Sequence, residues 1–256
     1  MQLTFLGTGT SSGVPMVGCS CDVCTSTDPR DHRLRSSALV RTHGLTLLID
    51  AGPDARQQLL RAGVTALDAV LLTHAHMDHI SGIDDLRAFN FFQKKPMDLY
   101  GDRTTLDAVR RVFAYAFGDG KYPGTPQLDL HEIGPGPFEI RGVTITPVEV
   151  EHYLMPVLGF RIGNFSYVTD AKSIAPAELE KLLGSDVLVL NALRHKEHIS
   201  HFTLGQAIAV AREIGPRRVY FTHISHQLGR QAVVSTELPA GMHLAYDGLV
   251  VDLLDP

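Results

Sequence analysis

Cysteine is scarce in this sequence: three among 256 residues, at positions 19, 21 and 24. An odd number of thiols packed that closely makes a poor disulfide framework and a plausible metal knuckle. No apolar run is long enough to span a bilayer. The opening residues, Met1-Gln2-Leu3-Thr4-Phe5-Leu6, lack the basic start and long apolar core of a signal peptide and read as a first strand. Positive charge is not in surplus either. The net charge of −5, with His neutral, leaves no electrostatic footprint for a long nucleic acid or an anionic membrane, although bound metals can reverse the local sign for a small anionic substrate. Internal repeats and low-complexity linkers are absent. What remains is ordinary globular material, 44% hydrophobic and 20% charged, enough for one large domain over 1–256. A cytoplasmic protein is expected, and a homodimer stays open.

Short strand signals, mostly apolar runs or alternations bounded by Gly, Pro, Asp or Asn, recur at 3–6, 38–42, 45–49, 69–72, 143–148, 165–168, 187–190, 219–221 and 249–253. Helical periodicity falls between them at 55–62, 84–92, 104–116, 177–183 and 203–214. The last opens on Thr203-x-x-Gln206, whose hydroxyl and amide can satisfy the free donors of a helix start, and stops at Gly215-Pro216. Strand pairs followed by strand–helix alternation predict an α/β sandwich of sheets covered by helices. The Pro- and Gly-rich stretch 118–137, with Lys121 and Tyr122, is too long for a plain connection and reads as a flap or an insert. Phe89-Asn90-Phe91-Phe92 is a second candidate for the mouth of a site.

The chemistry gathers where strands end. Val70-Leu71-Leu72-Thr73 is followed by His74-Ala75-His76-Met77-Asp78-His79. Imidazole and carboxylate ligands suit Zn, Mn or Fe(II), and without Cys in the cluster all three stay open. His74 and His76, at i and i+2, project to one side of an extended segment, and Asp78 and His79 can turn to a second point, giving two incomplete half-sites. Three further ligands follow other β-like runs: His152 in Glu149-Val150-Glu151-His152, Asp170 after Tyr167-Val168-Thr169, and His223 after Tyr220-Phe221-Thr222. Asp170, a carboxylate, can bridge two cations. Any one of these alone reads as a hydrogen-bonding cap; the recurrence points to a metal centre.

H-x-H-x-D-H with the later His, Asp and His resembles the metallo-β-lactamase superfamily. The resemblance implies an αββα sandwich, two mixed β-sheets flanked by helices, with a two-metal site between the sheets. It assigns His74, His76 and His152 to one metal and Asp78, His79 and His223 to the other, with Asp170 bridging. Asp50, in Leu48-Ile49-Asp50-Ala51-Gly52, then orients ligands without coordinating. Cys19, Cys21 and Cys24 need a fourth ligand for a tetrahedral zinc, and His226 can supply it if His223 faces the catalytic pair.

The knuckle, Gly7-Thr8-Gly9-Thr10, Gly13-Val14-Pro15, Thr222-His223-Ile224-Ser225-His226-Gln227 and Tyr246-Asp247-Gly248-Leu249 together resemble the PhnP-type phosphodiesterases. That group acts on cyclic ribosyl phosphates with manganese at the catalytic pair and a structural zinc. The resemblance implies hydrolysis of a small phosphodiester by a hydroxide activated between two metal ions, with Asp78 and His201 as catalytic residues and His201 also directed at the substrate phosphate. Arg194, His195, Lys196 and His198 make the adjoining loop basic, either as a phosphate site or as a solvated surface. Competing expectations on the same scaffold are a tRNA 3′-processing nuclease, a glyoxalase-type thioesterase and a PqqB-like accessory metal-binding protein.

Overall fold

Along the first strand, Leu3 and Phe5 enter one apolar cluster while Leu6 enters another, so both faces of the sheet it starts are covered. The computed structural model describes residues 1–118 and 122–253. Its first half runs β1 (Gln2–Gly7), β2 (Ser37–Thr42), β3 (Leu45–Ile49), α1 (Ala55–Arg61), β4 (Ala69–Leu71), α2 (Met77–Ile80), α3 (Arg87–Gln93), β5 (Met97–Gly101), α4 (Arg103–Val112) and β6 (Leu128–Glu132). The second half runs β7 (Phe138–Ile140), β8 (Val143–His152), β9 (Met155–Ile162), β10 (Phe165–Val168), α5 (Pro176–Glu180) and β11 (Val187–Asn191). It ends with α6 (Leu204–Ile214), β12 (Arg218–Thr222), α7 (Gln231–Glu237), β13 (Met242–Leu244) and β14 (Val250–Asp252).

Among the described residues these strands form two seven-stranded mixed sheets, ordered β14-β1-β2-β3-β4-β5-β6 and β13-β12-β11-β10-β9-β8-β7. Antiparallel pairing builds one half of each sheet, with hairpins joining β2 to β3 and β7 through β10 in series, and helical crossovers build the parallel half, as the strand–helix alternation predicts. Leu47, Ile49, Phe160 and Val189 meet in the core between the sheets, whereas Leu48, Val70 and Leu72 pack under the first set of helices. Leu188, Leu190 and Phe221 pack with Ala207 and Ala211 of α6 on the opposite face. The expected αββα sandwich is the observed architecture.

The start and finish of the sandwich are tied through Asp247. Its carboxylate accepts from the Thr8 amide at 2.9 Å, the Thr8 hydroxyl at 2.8 Å and the Leu34 amide at 2.8 Å. Replacing Asp247 by Ala strands two main-chain donors, with an expected loss of about 2–3 kcal/mol in urea unfolding. An unchanged midpoint would show the tie to be dispensable.

Several sequence expectations need correction. Residues 128–132, placed in the 118–137 flap, are the edge strand β6 paired with β5; Lys121 lies outside the described residues. The 84–92 helix is a 3-10 turn at Ile83–Leu86 followed by α3. The 104–116 helix stops at Val112, because Phe113 leaves helical geometry (φ −106°, ψ 36°), and resumes as a 3-10 turn. His152 is the last residue of β8, not a residue beyond a strand ending at 148.

Candidate metal centres

The ligand-bearing loop leaves β4 at the seam of the two sheets, where the Leu158 amide of β9 donates to the Thr73 carbonyl at 2.9 Å. Behind it lies the Asp50–Gly52 turn. A Cβ on Gly52 would sit 1.9 Å from the Asp78 carbonyl oxygen, so only glycine permits this approach. Asp50 itself is fully buried. Its Oδ1 accepts from the Thr73 amide at 2.8 Å, and its Oδ2 accepts from the Thr73 hydroxyl at 2.8 Å and from His79 Nδ1 at 2.6 Å. With the proton held on Nδ1, His79 presents the bare lone pair of Nε2 towards Asp78 Oδ2 at 3.2 Å and Asp170 Oδ2 at 3.4 Å.

That Nε2 is buried and has no hydrogen-bond partner. A neutral lone pair facing two carboxylates is repulsive unless a proton or a cation lies between them. The donor set therefore fits a divalent cation bound by N and O ligands.

Asp170 follows β10 and sits at the centre. Its Oδ2 accepts from Thr169 Oγ1 at 2.6 Å and lies 3.2 Å from His223 Nδ1, while its Oδ1 lies 3.1 Å from His201 Nε2. His223, after β12, also meets Thr10 Oγ1 at 3.1 Å. Asp50, Asp170 and His223 all have positive φ, at 60°, 56° and 54°. Such backbone strain persists only where surroundings enforce it, and here it marks three strand ends that aim side chains at one point.

The structure gathers donor atoms within 4.8 Å of one another in three overlapping groups: His74, His79 and Asp170; Asp78, His79 and His223; His152, Asp170 and His201. One half of the sequence division, Asp78 with His79 and His223, is therefore assembled as expected. In the other half, His74 and His152 are buried while His76 stays exposed at the mouth, its Nδ1 3.0 Å from His74 Nε2 and its ring 5.2 Å from that of His152. His152 donates from Nδ1 to the Ser200 carbonyl at 2.8 Å, which frees Nε2 as a ligand atom.

Electrostatics agree with this geometry. Burial would raise Asp170, yet His223 and His79 hold it well below the usual carboxylate range. Burial would lower His79, but Asp170 and Asp50 keep it well above the ordinary imidazole value. Burial holds His223 down to about 3 against the pull of Asp170, so the ring stays neutral and keeps one lone pair for a cation.

His201 is buried against Asp170 and His152, so it is not a surface cap. Its Nδ1 faces Ser200 Oγ at 3.0 Å and His198 Nδ1 at 3.2 Å, leaving Nε2 on the metal side. The basic loop beside it is mostly committed elsewhere. Arg194 donates to the carbonyls of Lys196 and Glu197 and to Gln227 Oε1, and Lys172 pairs with Glu197. His195 and Lys196 are exposed.

A second cluster brings together Cys19, Cys21, Cys24 and His226, their ligand atoms within 4.8 Å of one another. His226 Nδ1 lies 3.4 Å from Cys19 Sγ and 3.2 Å from Cys21 Sγ, and the Met16 amide donates to Cys24 Sγ at 3.4 Å. The His226 contact draws the Cys21 thiol down to about 6, whereas burial pushes Cys24 up to about 11. Three thiols and one imidazole fit a tetrahedral structural zinc.

Sequence reasoning did not single out Thr10, Thr73, Thr169 or Ser200 as ligand supports. For Thr73, Thr169 and Ser200 the signal was only proximity to a candidate ligand, and for Thr10 there was none, since hydroxyl and carbonyl partners carry no spacing rule. The suggestion that residues 89–92 reach the mouth is also corrected. Phe89 belongs to the core, and Phe91 and Phe92 line a groove of about 1100 Å³ with Leu60, Pro123 and Gln127, which contains none of the cluster residues.

A family model described as a beta-lactamase superfamily domain matches residues 46–224, the span that carries every N/O ligand of the centre. The chain belongs to the beta-lactamase superfamily. Within it, the similarity is to the PhnP-like branch: the crystal structure of a diphosphatase from the PhnP family superposes with a TM-score of 0.93 and 41% identity, covering 99% of this chain and 98% of that one. Zn²⁺-bound PqqB from Methylobacterium extorquens shares the fold at TM-score 0.80 and 23% identity over 99% of this chain and 100% of its own. A Porphyromonas gingivalis protein named octanoyltransferase is 43% identical over 97% of this chain, but the chain spans only 51% of it. A ribonuclease Z from a Mycobacterium species is 29% identical over 76% of this chain and 69% of its own length. The chain thus has the metallo-β-lactamase fold, and one neighbour of that fold, PqqB, carries bound Zn²⁺ in its own structure.

Proposed function

We propose that this protein hydrolyses a small phosphodiester at a centre for two divalent cations, Mn²⁺, Zn²⁺ or Fe²⁺, and that the Cys19, Cys21, Cys24 and His226 cluster holds a structural Zn²⁺. The observation that carries the reading is the buried, unpartnered His79 Nε2 between Asp78 and Asp170, with His201 beside them. His74, His76 and His152 would hold one cation and Asp78, His79 and His223 the other, with Asp170 shared between them. When bound, the cations supply Lewis acidity at the phosphoryl group and activate water as the nucleophile.

The chain's own residues do the rest. Asp50 fixes the His79 tautomer, Ser200 fixes that of His152, and Thr169 steadies Asp170. Asp78 takes part through its carboxylate as ligand and as orienter of His79. His201 contacts the phosphoryl group and delivers its Nε2 proton to the leaving alkoxide as the P–O ester bond breaks and the bond to the water oxygen forms. A small substrate suits a surface whose net charge of −5 offers no basic track for a long RNA.

A second reading, cleavage of a diphosphate bridge, is favoured by the name of the PhnP-family neighbour. Parallel assays of bis(p-nitrophenyl) phosphate, a cyclic nucleotide, a dinucleoside diphosphate and a glutathione thioester separate these. Phosphodiester turnover supports the main reading. Turnover of the dinucleoside diphosphate alone moves the assignment to the bridge, and of the thioester alone overturns both. His201→Ala is expected to lower kcat by roughly 10²–10⁴-fold with bound metal unchanged. Metal lost together with activity would make His201 a ligand instead.

A further inference from the structure

Among the described residues four hairpins close on two-residue turns, and three of them obey ordinary turn chemistry. His43-Gly44, Arg141-Gly142 and Gly163-Asn164 each supply a glycine at positive φ. The fourth, between β8 and β9, is Tyr153-Leu154, set by the pairing of His152 with Met155. Tyr153 adopts φ 61°, in the first central position where a type II′ turn wants glycine. A bulky residue in that conformation is strained, and glycine would remove the strain. The exception is also the one hairpin of the four that ends on a ligand of the proposed centre.

The surroundings share a character. Four of the fifteen large hydrophobic side chains exposed among the described residues lie within two positions of the histidines that open the centre: Met77 (52%) after His76, Tyr153 (55%) and Leu154 (84%) after His152, and Ile199 (64%) before His201. The three segments converge, since the His152 ring lies 5.2 Å from that of His76 and 4.5 Å from that of His201. Exposed apolar side chains thus flank, in sequence, three converging histidines on three separate segments. Exposed apolar surface joined to a charged centre is the pattern of a ligand site that takes an anion with a non-polar arm.

We infer that Tyr153, with Leu154, Met77 and Ile199, forms a subsite for a planar aromatic ester group, an aryl or nucleobase arm, of the substrate whose phosphoryl group occupies the centre. The inference rests on the phosphoryl-ester reading above and specifies its substrate class. Stacking on a tyrosine with partial burial of one ring contributes about tenfold in affinity.

Calorimetric titration of the metal-loaded protein with phenylphosphonate and methylphosphonate tests this, because both offer the same anion. The phenyl compound is expected to bind about tenfold more tightly to the wild type and to Tyr153→Phe, and within twofold of the methyl compound in Tyr153→Gly. The melting temperature of Tyr153→Gly is expected to equal or exceed that of the wild type. Equal affinities in the wild type, a preference that survives in a folded Tyr153→Gly, or binding of neither compound overturns the subsite. A preference without turnover of any phosphodiester would leave the subsite standing and remove the phosphodiesterase reading. Turnover without a preference would do the reverse.

Discussion

Asp170→Asn is expected to lower kcat/KM by 10³-fold or more, the largest effect of any single change, on the order of several kcal/mol of transition-state stabilisation. The substitution keeps the shape of the side chain and removes its charge. Asp170 lies within 3.4 Å of ring nitrogens of His79, His201 and His223 and shares donor groups with His74 and with His152, so among the described residues it is the carboxylate that reaches both halves of the centre. An amide oxygen still accepts hydrogen bonds, but an uncharged amide cannot serve two cations as a carboxylate does. Loss of activity should therefore come with loss of metal, while circular dichroism shows a folded chain. Full activity in a folded Asp170→Asn protein stripped of metal would rule the mechanism out.

Cys21→Ser is expected to act on stability first. The loop at Val14–Cys24 has a very small apolar cluster of its own, Val14, Val23 and Cys24 with Cys19 and Cys21 packed against it. So few side chains cannot hold a loop of that length, and the proposed zinc would take the place of a core. Losing one of four ligands should remove one zinc per chain and about 3 kcal/mol, a fall in Tm of roughly 6–12 °C for a chain of this size. Activity should fall less, by about tenfold, because His226 lies three residues after His223 and the knuckle anchors that segment. Unchanged zinc content in Cys21→Ser would remove the structural assignment.

Much of the sandwich could be read from the chain because several of its strands are mostly buried apolar runs. Residues 45–49 and 165–168 match β3 and β10, and 203–214 matches α6 with its Thr203–Gln206 capping box. Two of the missed elements, β9 and β6, share a physical reason. Strand β9, Met155–Ile162, carries Pro156 and Gly159, which read as turn signals. Yet a Cβ at Gly159 would lie 2.8 Å from the Tyr167 carbonyl oxygen, so that glycine marks close backbone approach within the sheet, not a turn. Strand β6 is half exposed at an edge and sits in a Pro- and Gly-rich stretch, where periodicity gives little signal.

The ligands were readable because they follow buried runs. Their supports were not: Ser200 acts through a main-chain carbonyl, and Thr10 reaches His223 across 213 positions of sequence. Nor does sequence spacing show that His76 remains exposed while His74, two residues away, is buried.

Metal content measured by elemental analysis on the purified chain tests the central claim most directly. Two cations at the N/O centre and one zinc at the knuckle predict three equivalents per chain, falling to one in Asp170→Asn and to two in Cys21→Ser. A single equivalent in the wild type after loading with Mn²⁺ or Zn²⁺, retained in Asp170→Asn and lost in Cys21→Ser, would contradict a two-metal hydrolase and leave only the knuckle.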